Sequence, residues 1–274
     1  MKVLSFLNEK GGVGKTTLSR HFAAGAALHD LRVLLIDTDT QGHCSRLLGI
    51  GKQPGLYRLL MQRAPWGKVL YEANAAHWSG REPTIGQLLV LPSDISTRDI
   101  TPEQPLALRE RLAELDGAID LVILDTSPTP VKLQNVLMLA SDYVAYPTQC
   151  QDLSLDGMKE TTLHMHNLNA ERAGFGLEPL KLVGVMPTMY SRTLVHGEAL
   201  DALLNHYKRL AVWEPVPHRT VWQECEWVQQ TLFSYAPHAD ATEMMRRMVD
   251  RLLKTLQIPG FTKQAQETPH ATEI

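Results

Sequence analysis

Glu9-Lys10-Gly11-Gly12-Val13-Gly14-Lys15-Thr16-Thr17 is the segment on which the reading of the whole chain turns. An apolar run, Val3-Leu4-Ser5-Phe6-Leu7, leads into it, and a helical pattern follows from about Leu18 to Leu28. Strand, glycine-rich loop and helix, in that order, is the context of a phosphate-binding loop. Glycines let backbone N–H groups turn inward and approach phosphate oxygens closely. The helix that starts here adds its unpaired N–H groups and the positive end of its dipole. Read this way, Gly11 to Thr17 surround the phosphates. Lys15 brings a mobile cation to the β- and γ-phosphates, and Thr16 offers a hydroxyl oxygen to Mg²⁺.

The general pattern G-x-x-x-x-G-K-[ST] is met at Gly14, Lys15 and Thr16, but its first glycine is replaced by Glu9. Lys10 stands just inside the loop instead. The combination Lys10-Gly11-Gly12-x-Gly14-Lys15-Thr16 resembles the deviant phosphate loop of the ParA/MinD ATPases. That resemblance extends from Val3 to about Leu256. It implies that Lys10 reaches across a nucleotide-sandwich homodimer to the partner's phosphates, and so acts in both binding and catalysis.

Two further apolar strands end in acids. Arg32-Val33-Leu34-Leu35-Ile36-Asp37 runs into Asp37-Thr38-Asp39-Thr40-Gln41-Gly42, and Leu121-Val122-Ile123-Leu124-Asp125 runs into Thr126-Ser127-Pro128. Continuous apolar runs suit parallel strands buried on both faces, and carboxylates at their C-terminal ends point into the ligand crevice. The first segment resembles the family motif D-x-D-P-Q-G, with Thr40 in place of the proline. The second resembles the Walker B segment D-T-P-P, with Ser127 in place of one proline. The resemblance makes Asp39 the residue that orients the attacking water, and gives Asp37 and Asp125, with Thr16, to the metal.

Later segments continue the likeness. Gly184-x-x-x-Thr188-Met189-x-x-Arg192-Thr193 resembles a family segment that supplies part of an adenine pocket, which makes Thr188 and Met189 candidates. Trp213 to Arg219 resembles a strand and turn in which Pro217 packs on the base; His218 stands where relatives carry arginine, and Arg219 follows it. Arg192 reads as a DNA-backbone contact or as an exposed turn arginine. Arg219 reads as a stand-in for the missing arginine or as a surface residue. The helical pattern from about Ala241 to Leu256 carries Arg246, Arg247, Arg251 and Lys254, a solvated face or a phosphate-contacting one. Arg192, Arg219 and Arg247 are the candidate DNA contacts.

The chain has 274 residues, 44% hydrophobic and 21% charged, with a formal net charge of −3. That is ordinary globular composition, and any nucleic-acid site must be a local patch. Cys44, Cys150 and Cys225 are far apart and show no metal-ligand spacing. His164 and His166, two apart on a helical pattern, do not share a face and are not read as metal ligands. No signal peptide or membrane-length apolar run is visible, so a cytoplasmic protein is expected, without a leading helix-turn-helix. Residues 49–86 are broken by Pro54, Gly55, Pro65, Gly67, Gly80 and Pro83 around a short helix, about Leu56–Arg63. Trp66, His77 and Trp78 in this insertion cover the core edge or contact a cargo or adaptor.

Alternating strands and helices predict a doubly wound, mostly parallel α/β sheet of the P-loop NTPase type, one domain over 1–257, with a polar, disordered tail over 258–274. The resemblance implies a slow ATPase that uses ATP and Mg²⁺ and dimerises on ATP. It also implies non-specific DNA binding, association with the nucleoid in the ATP state, stimulation by a ParB-like or analogous adaptor, and partition or positioning of a plasmid, chromosome region or large cargo. A MinD-like membrane-cycling ATPase is the alternative, with no membrane binding expected because Pro259 and Gly260 stop the last helix. A metabolic relative of the superfamily is another.

Overall fold

The computed structural model describes residues 1–274 except 9, 81–84, 127–130, 151–154, 259–260 and 262–274; of residues 131, 155–164 and 206–211 only the backbone is described. Glu9, Ser127, Leu153 and the final residues therefore lie outside the described residues, as does the side chain of His164.

In chain order the elements are β1 (Lys2–Phe6), α1 (Lys15–Ala27), β2 (Arg32–Asp37), α2 (His43–Arg46), α3 (Gly55–Met61), β3 (Tyr71–Glu72), α4 (Ala75–Trp78), β4 (Gln87–Leu91), α5 (Ala107–Ala113), β5 (Leu121–Asp125), α6 (Val131–Ala140), β6 (Tyr143–Gln149), α7 (Leu155–Gly174), β7 (Lys181–Thr188), α8 (Leu194–Ala211), α9 (Thr220–Trp227), α10 (Leu232–Tyr235) and α11 (Asp240–Leu256). The sheet order is β3-β4-β2-β5-β1-β6-β7. All pairings are parallel except β3 with β4. β1 lies between β5 and β6, and the chain crosses from one side of it to the other, so the loop after β1 opens at the reversal point where such sheets bind ligands.

Strand side chains alternate between two cores, as a period of two requires. Leu4, Phe6, Val33, Leu35 and Ile123 face a layer built from α1 and α11, with Phe22, Met245 and Leu252. Val3, Leu34, Ile36, Val122 and Leu124 face the opposite layer, with Leu108, Leu133 and Leu137. This is the doubly wound α/β sheet that the sequence pattern predicts.

Four local features go beyond the sequence pattern. Trp213–Arg219 is not a strand; it runs beside β7 through single bridges at Val212 and Pro217, because Pro215 and Pro217 have no N–H for a ladder. α8 begins at Leu194, where the Thr193 side chain accepts from His196 N–H and caps it. The insertion is more regular than its sequence suggests and adds β3 and α4. There Trp66 and Trp78 are buried, and His77 Nδ1 lies 2.6 Å from Gln229 O. Lastly, the core continues past Leu256: Ile258 and Phe261 are buried, and Phe261 packs edge-on against His29.

α1 and α11 meet at Gly25. A Cβ there would sit 2.4 Å from Val249 Cγ2 and 3.1 Å from Phe233 Cζ. Gly25→Val is expected to cost about 1–3 kcal/mol or more by overpacking, read as a lower urea midpoint at constant m. Val249→Ala on that background should recover part of the loss, since the two sites are in contact.

Candidate functional site: a phosphate loop between strand-end acids

Gly12 and Gly14 have φ of 73° and 85°, the left-handed region that glycine reaches without a Cβ penalty. Gly14 ends the loop as the cap residue of α1. The loop carbonyls are tied to neighbouring strands. Gln149 Nε2 donates to Gly12 O at 3.0 Å, and the Thr188 hydroxyl lies 3.0 Å from Val13 O and 3.1 Å from Thr148 O. Asn8 Nδ2 donates to Pro147 O at 2.8 Å, while its Oδ1 accepts Lys10 N–H at 2.9 Å. Lys15 is buried, and its Nζ donates to Lys10 O at 2.7 Å. Burial lowers the Lys15 pKa, opposed by the charges of Asp125 and Asp39. Lys10 itself is exposed.

β2 and β5 are in register with Asp37 beside Asp125. Both are buried. Asp37 Oδ2 accepts Ser45 N–H at 2.8 Å and Ser45 Oγ–H at 2.7 Å, and its Oδ1 accepts Asp39 N–H at 3.0 Å. Burial raises the Asp37 pKa against these bonds. Asp125 is pushed up to about 7, first by burial and then by the charge of Asp37, opposed by bonds from the Thr16 and Ser19 hydroxyls. Its Oδ1 is buried with no hydrogen-bond partner among the described residues. A buried acid with an unmet oxygen, next to a threonine hydroxyl and a second acid, fits a hydrated divalent cation. Mg²⁺ typically binds through one or two carboxylates plus substrate phosphates rather than a closed protein cage. Among the described residues no three His, Cys, Asp or Glu side chains form such a cage.

Thr188, Met189 and Pro217 converge with Thr17 on a cavity of about 200 Å³ beside the loop. Trp222 and Glu226, which sequence reasoning missed, complete it. Trp222 Nε1 donates to Pro217 O at 3.1 Å, and Thr17 Oγ–H donates to Glu226 Oε1 at 3.0 Å. Met189 has a φ of 52°. The three free cysteines are all buried around the site: Cys44 on α2, Cys150 just after Gln149 and Cys225 on α9. Burial raises all three thiols, Cys150 and Cys225 to about 11.

Arg192 and Arg219 are exposed on adjoining turns, joined where Tyr190 N–H donates to Val216 O and His218 N–H to Tyr190 O. Arg219 also borders the cavity. Arg247 lies apart from that junction in sequence and pairs with Glu214 at 3.1 Å. Arg246 and Arg251 on the same helix stack over Phe233 and Trp213, so these basic side chains fold back onto the protein.

A glycine loop that opens at the reversal point of a doubly wound parallel sheet, with strand-end acids at the same edge, defines the P-loop nucleotide-hydrolysing class. Residues 1–173 match a family model described as an AAA domain. The chain is 30% identical to the chromosome-partitioning ATPase Soj of Thermus thermophilus over 257 residues, covering 93% of this chain and 96% of that one. It is 34% identical to the chromosome partitioning protein ParA of Caulobacter vibrioides over 204 residues, covering 70% and 71%. A structure of cobyrinic acid a,c-diamide synthase from Mycobacterium smegmatis, with bound ATP analogue and magnesium, superposes with a TM-score of 0.73 over all of both chains at 24% identity, a shared fold. The chain belongs to the ParA/MinD family of partition-type P-loop ATPases.

Under the cavity, His21 is buried. Its Nδ1–H donates to Thr17 O at 2.6 Å, its Nε2 accepts Leu232 N–H at 3.0 Å, and its ring meets Trp222 edge-on. These bonds require the neutral ring. Burial, with the charge of Arg20, pushes its pKa down to about 3. The unfolded chain therefore takes up the proton first as pH falls. His21's contribution is complete above about pH 6.5 and is lost progressively below it. Wild-type stability should fall with an extra slope of up to about 1.4 kcal/mol per pH unit below 6.5, relative to His21→Gln; urea melts from pH 7.5 to 5 measure it.

Proposed function

We propose that this ATPase is an ATP-dependent dimerising switch that binds DNA without sequence preference and positions a plasmid, chromosome region or other large cargo. The observation that carries this reading is the pair of lysines in the loop. Lys15 is buried, whereas Lys10 is exposed with its backbone fixed on both sides, its N–H by Asn8 and its carbonyl by Lys15. A lysine held rigidly at the rim of a phosphate loop suits contact with a second nucleotide-loaded copy.

In the proposed mechanism the loop N–H groups from Gly11 to Thr17 receive the phosphates of ATP. Lys15 Nζ turns from the Lys10 carbonyl to the β- and γ-phosphates. Thr16, Asp37 and Asp125 would hold Mg²⁺. Bound there, the cation neutralises charge on the β- and γ-phosphate oxygens. Thr188, Met189 and Pro217 enclose adenine. Asp39 orients the water whose oxygen bonds to the γ-phosphorus as the bond to the β-phosphate oxygen breaks. Lys10 of the partner copy offsets repulsion between the facing nucleotides and stabilises the transition state. Loss of the γ-phosphate contacts then releases the dimer. Turnover is slow until an adaptor of the ParB kind stimulates it. The protein works in the cytoplasm, on the nucleoid while ATP is bound, with Arg192, Arg219 and Arg247 as DNA contacts.

Membrane cycling is the weaker reading. The apolar face of α11, including Met244, Met248, Leu252 and Leu256, is already buried in the core, and among the described residues no helix is long and apolar enough to cross a bilayer.

DNA co-sedimentation with and without ATP-Mg²⁺, at two salt concentrations, tests the proposal. ATP-dependent, salt-sensitive binding that persists in Asp39→Ala is the expected result. Binding to liposomes instead of DNA would sink it. Lys10→Ala should lower stimulated hydrolysis on the order of a thousandfold, as loss of a trans-acting cation does elsewhere; normal stimulated turnover would refute the trans role.

A further inference from the structure

The two acids at the end of β2 are held by one short element. α2 spans a single turn after Gly42, whose φ is 59°. A Cβ at Gly42 would lie 2.9 Å from Ser93 O and 3.1 Å from Lys52 Cγ, so the turn into α2 is fixed by space as well as by conformation. From α2, Ser45 gives both its N–H and its hydroxyl to one oxygen of Asp37. From the same turn, His43 Nδ1 lies 3.2 Å from Asp39 Oδ2. The other oxygen of Asp39 accepts Gln41 N–H at 2.9 Å, and its backbone carbonyl accepts Ser93 Oγ–H at 2.5 Å. The Asp39 carboxylate thus has one oxygen bonded and the other facing His43.

We propose that His43 is a positioning residue for hydrolysis: its Nδ1–H fixes the rotamer of Asp39, so that the carboxylate keeps a lone pair aimed at the attacking water. The inference rests on the water-orienting role of Asp39 given above. A carboxylate has more lone pairs than these two contacts use, so holding it does not block it. Stability does not account for the pair. Both side chains are partly exposed, at 49% and 22%, and partly exposed i,i+4 ion pairs contribute little to folding. What the contact does supply is direction, the service that outer hydrogen bonds give to ligating and catalytic groups, where their loss typically costs about 10–100-fold. Ser45 does the same for Asp37.

The test compares single-turnover ATP hydrolysis and the binding of a fluorescent ATP analogue in full-length wild type, His43→Ala, His43→Asn and Asp39→Ala. Asparagine places an amide nitrogen at the same δ position as His43 Nδ1. His43→Ala is expected to lower the hydrolysis rate about tenfold, with analogue affinity within twofold of wild type. His43→Asn should restore the rate to within about threefold. A His43→Ala rate within twofold of wild type would overturn the proposal. So would a loss confined to affinity, or an asparagine variant as slow as the alanine one. Asp39→Ala separates the two layers. If it hydrolyses normally, the role of Asp39 fails and this proposal falls with it; if it is inactive while His43→Ala is normal, only the positioning role is lost. Ser45→Ala gives an independent reading: the Mg²⁺ concentration for half-maximal analogue binding should rise about tenfold, and an unchanged requirement would remove Ser45 from the argument.

Discussion

A loop that offers its N–H groups to phosphate must dispose of its carbonyl groups elsewhere, and most of this site follows from that need. The carbonyls of Gly12 and Val13 are taken by Gln149 and Thr188, from the ends of β6 and β7. The carbonyl of Lys10 is taken by Lys15 Nζ. Each bond replaces water that would otherwise compete for the same atom, and together they set the inward turn before any ligand arrives. Preorganised donors of this kind cost no reorganisation when charge develops. They also explain why β6 must lie beside β1 and β7 beside β6: the residues that restrain the loop come from far along the chain, 137 positions away for Gln149.

The same economy governs the acids. Two carboxylates side by side in register, both buried, repel each other and resist ionisation. Asp37 is relieved by three donated hydrogen bonds. Asp125 receives less, keeps one oxygen without a partner among the described residues and is pushed up to about 7. The asymmetry assigns them different work. Asp37 is anchored by its own bonds, whereas the uncompensated charge lies on Asp125.

The centre of the sheet was legible in the sequence because β1, β2 and β5 are buried almost throughout and so read as mostly apolar runs. The glycine loop and the acids were legible because their chemistry needs fixed residue types at fixed local spacing. What surrounds them was not. Asn8, Gln149 and Glu226 act through contacts that no local pattern marks. Trp222 reaches the cavity beside the loop only because Trp213–Arg219 runs beside β7 without becoming a strand. The basic face of α11 looked solvated or DNA-facing, since a helical pattern cannot reveal that Phe233 and Trp213 lie beneath Arg246 and Arg251. His43 sits in plain view beside the acids, yet its approach to Asp39 depends on the left-handed turn at Gly42.

The placement of the three thiols has a practical side. Cys44 on α2, Cys150 just after β6 and Cys225 on α9 are each sealed from solvent and held in the protonated, unreactive form by burial. Because the thiolate is the reactive species, alkylation must wait for a local opening that admits both water and reagent. The chain thus carries three built-in gauges of how often each wall of its site parts. A single cysteine engineered onto the surface could be labelled against an almost silent background.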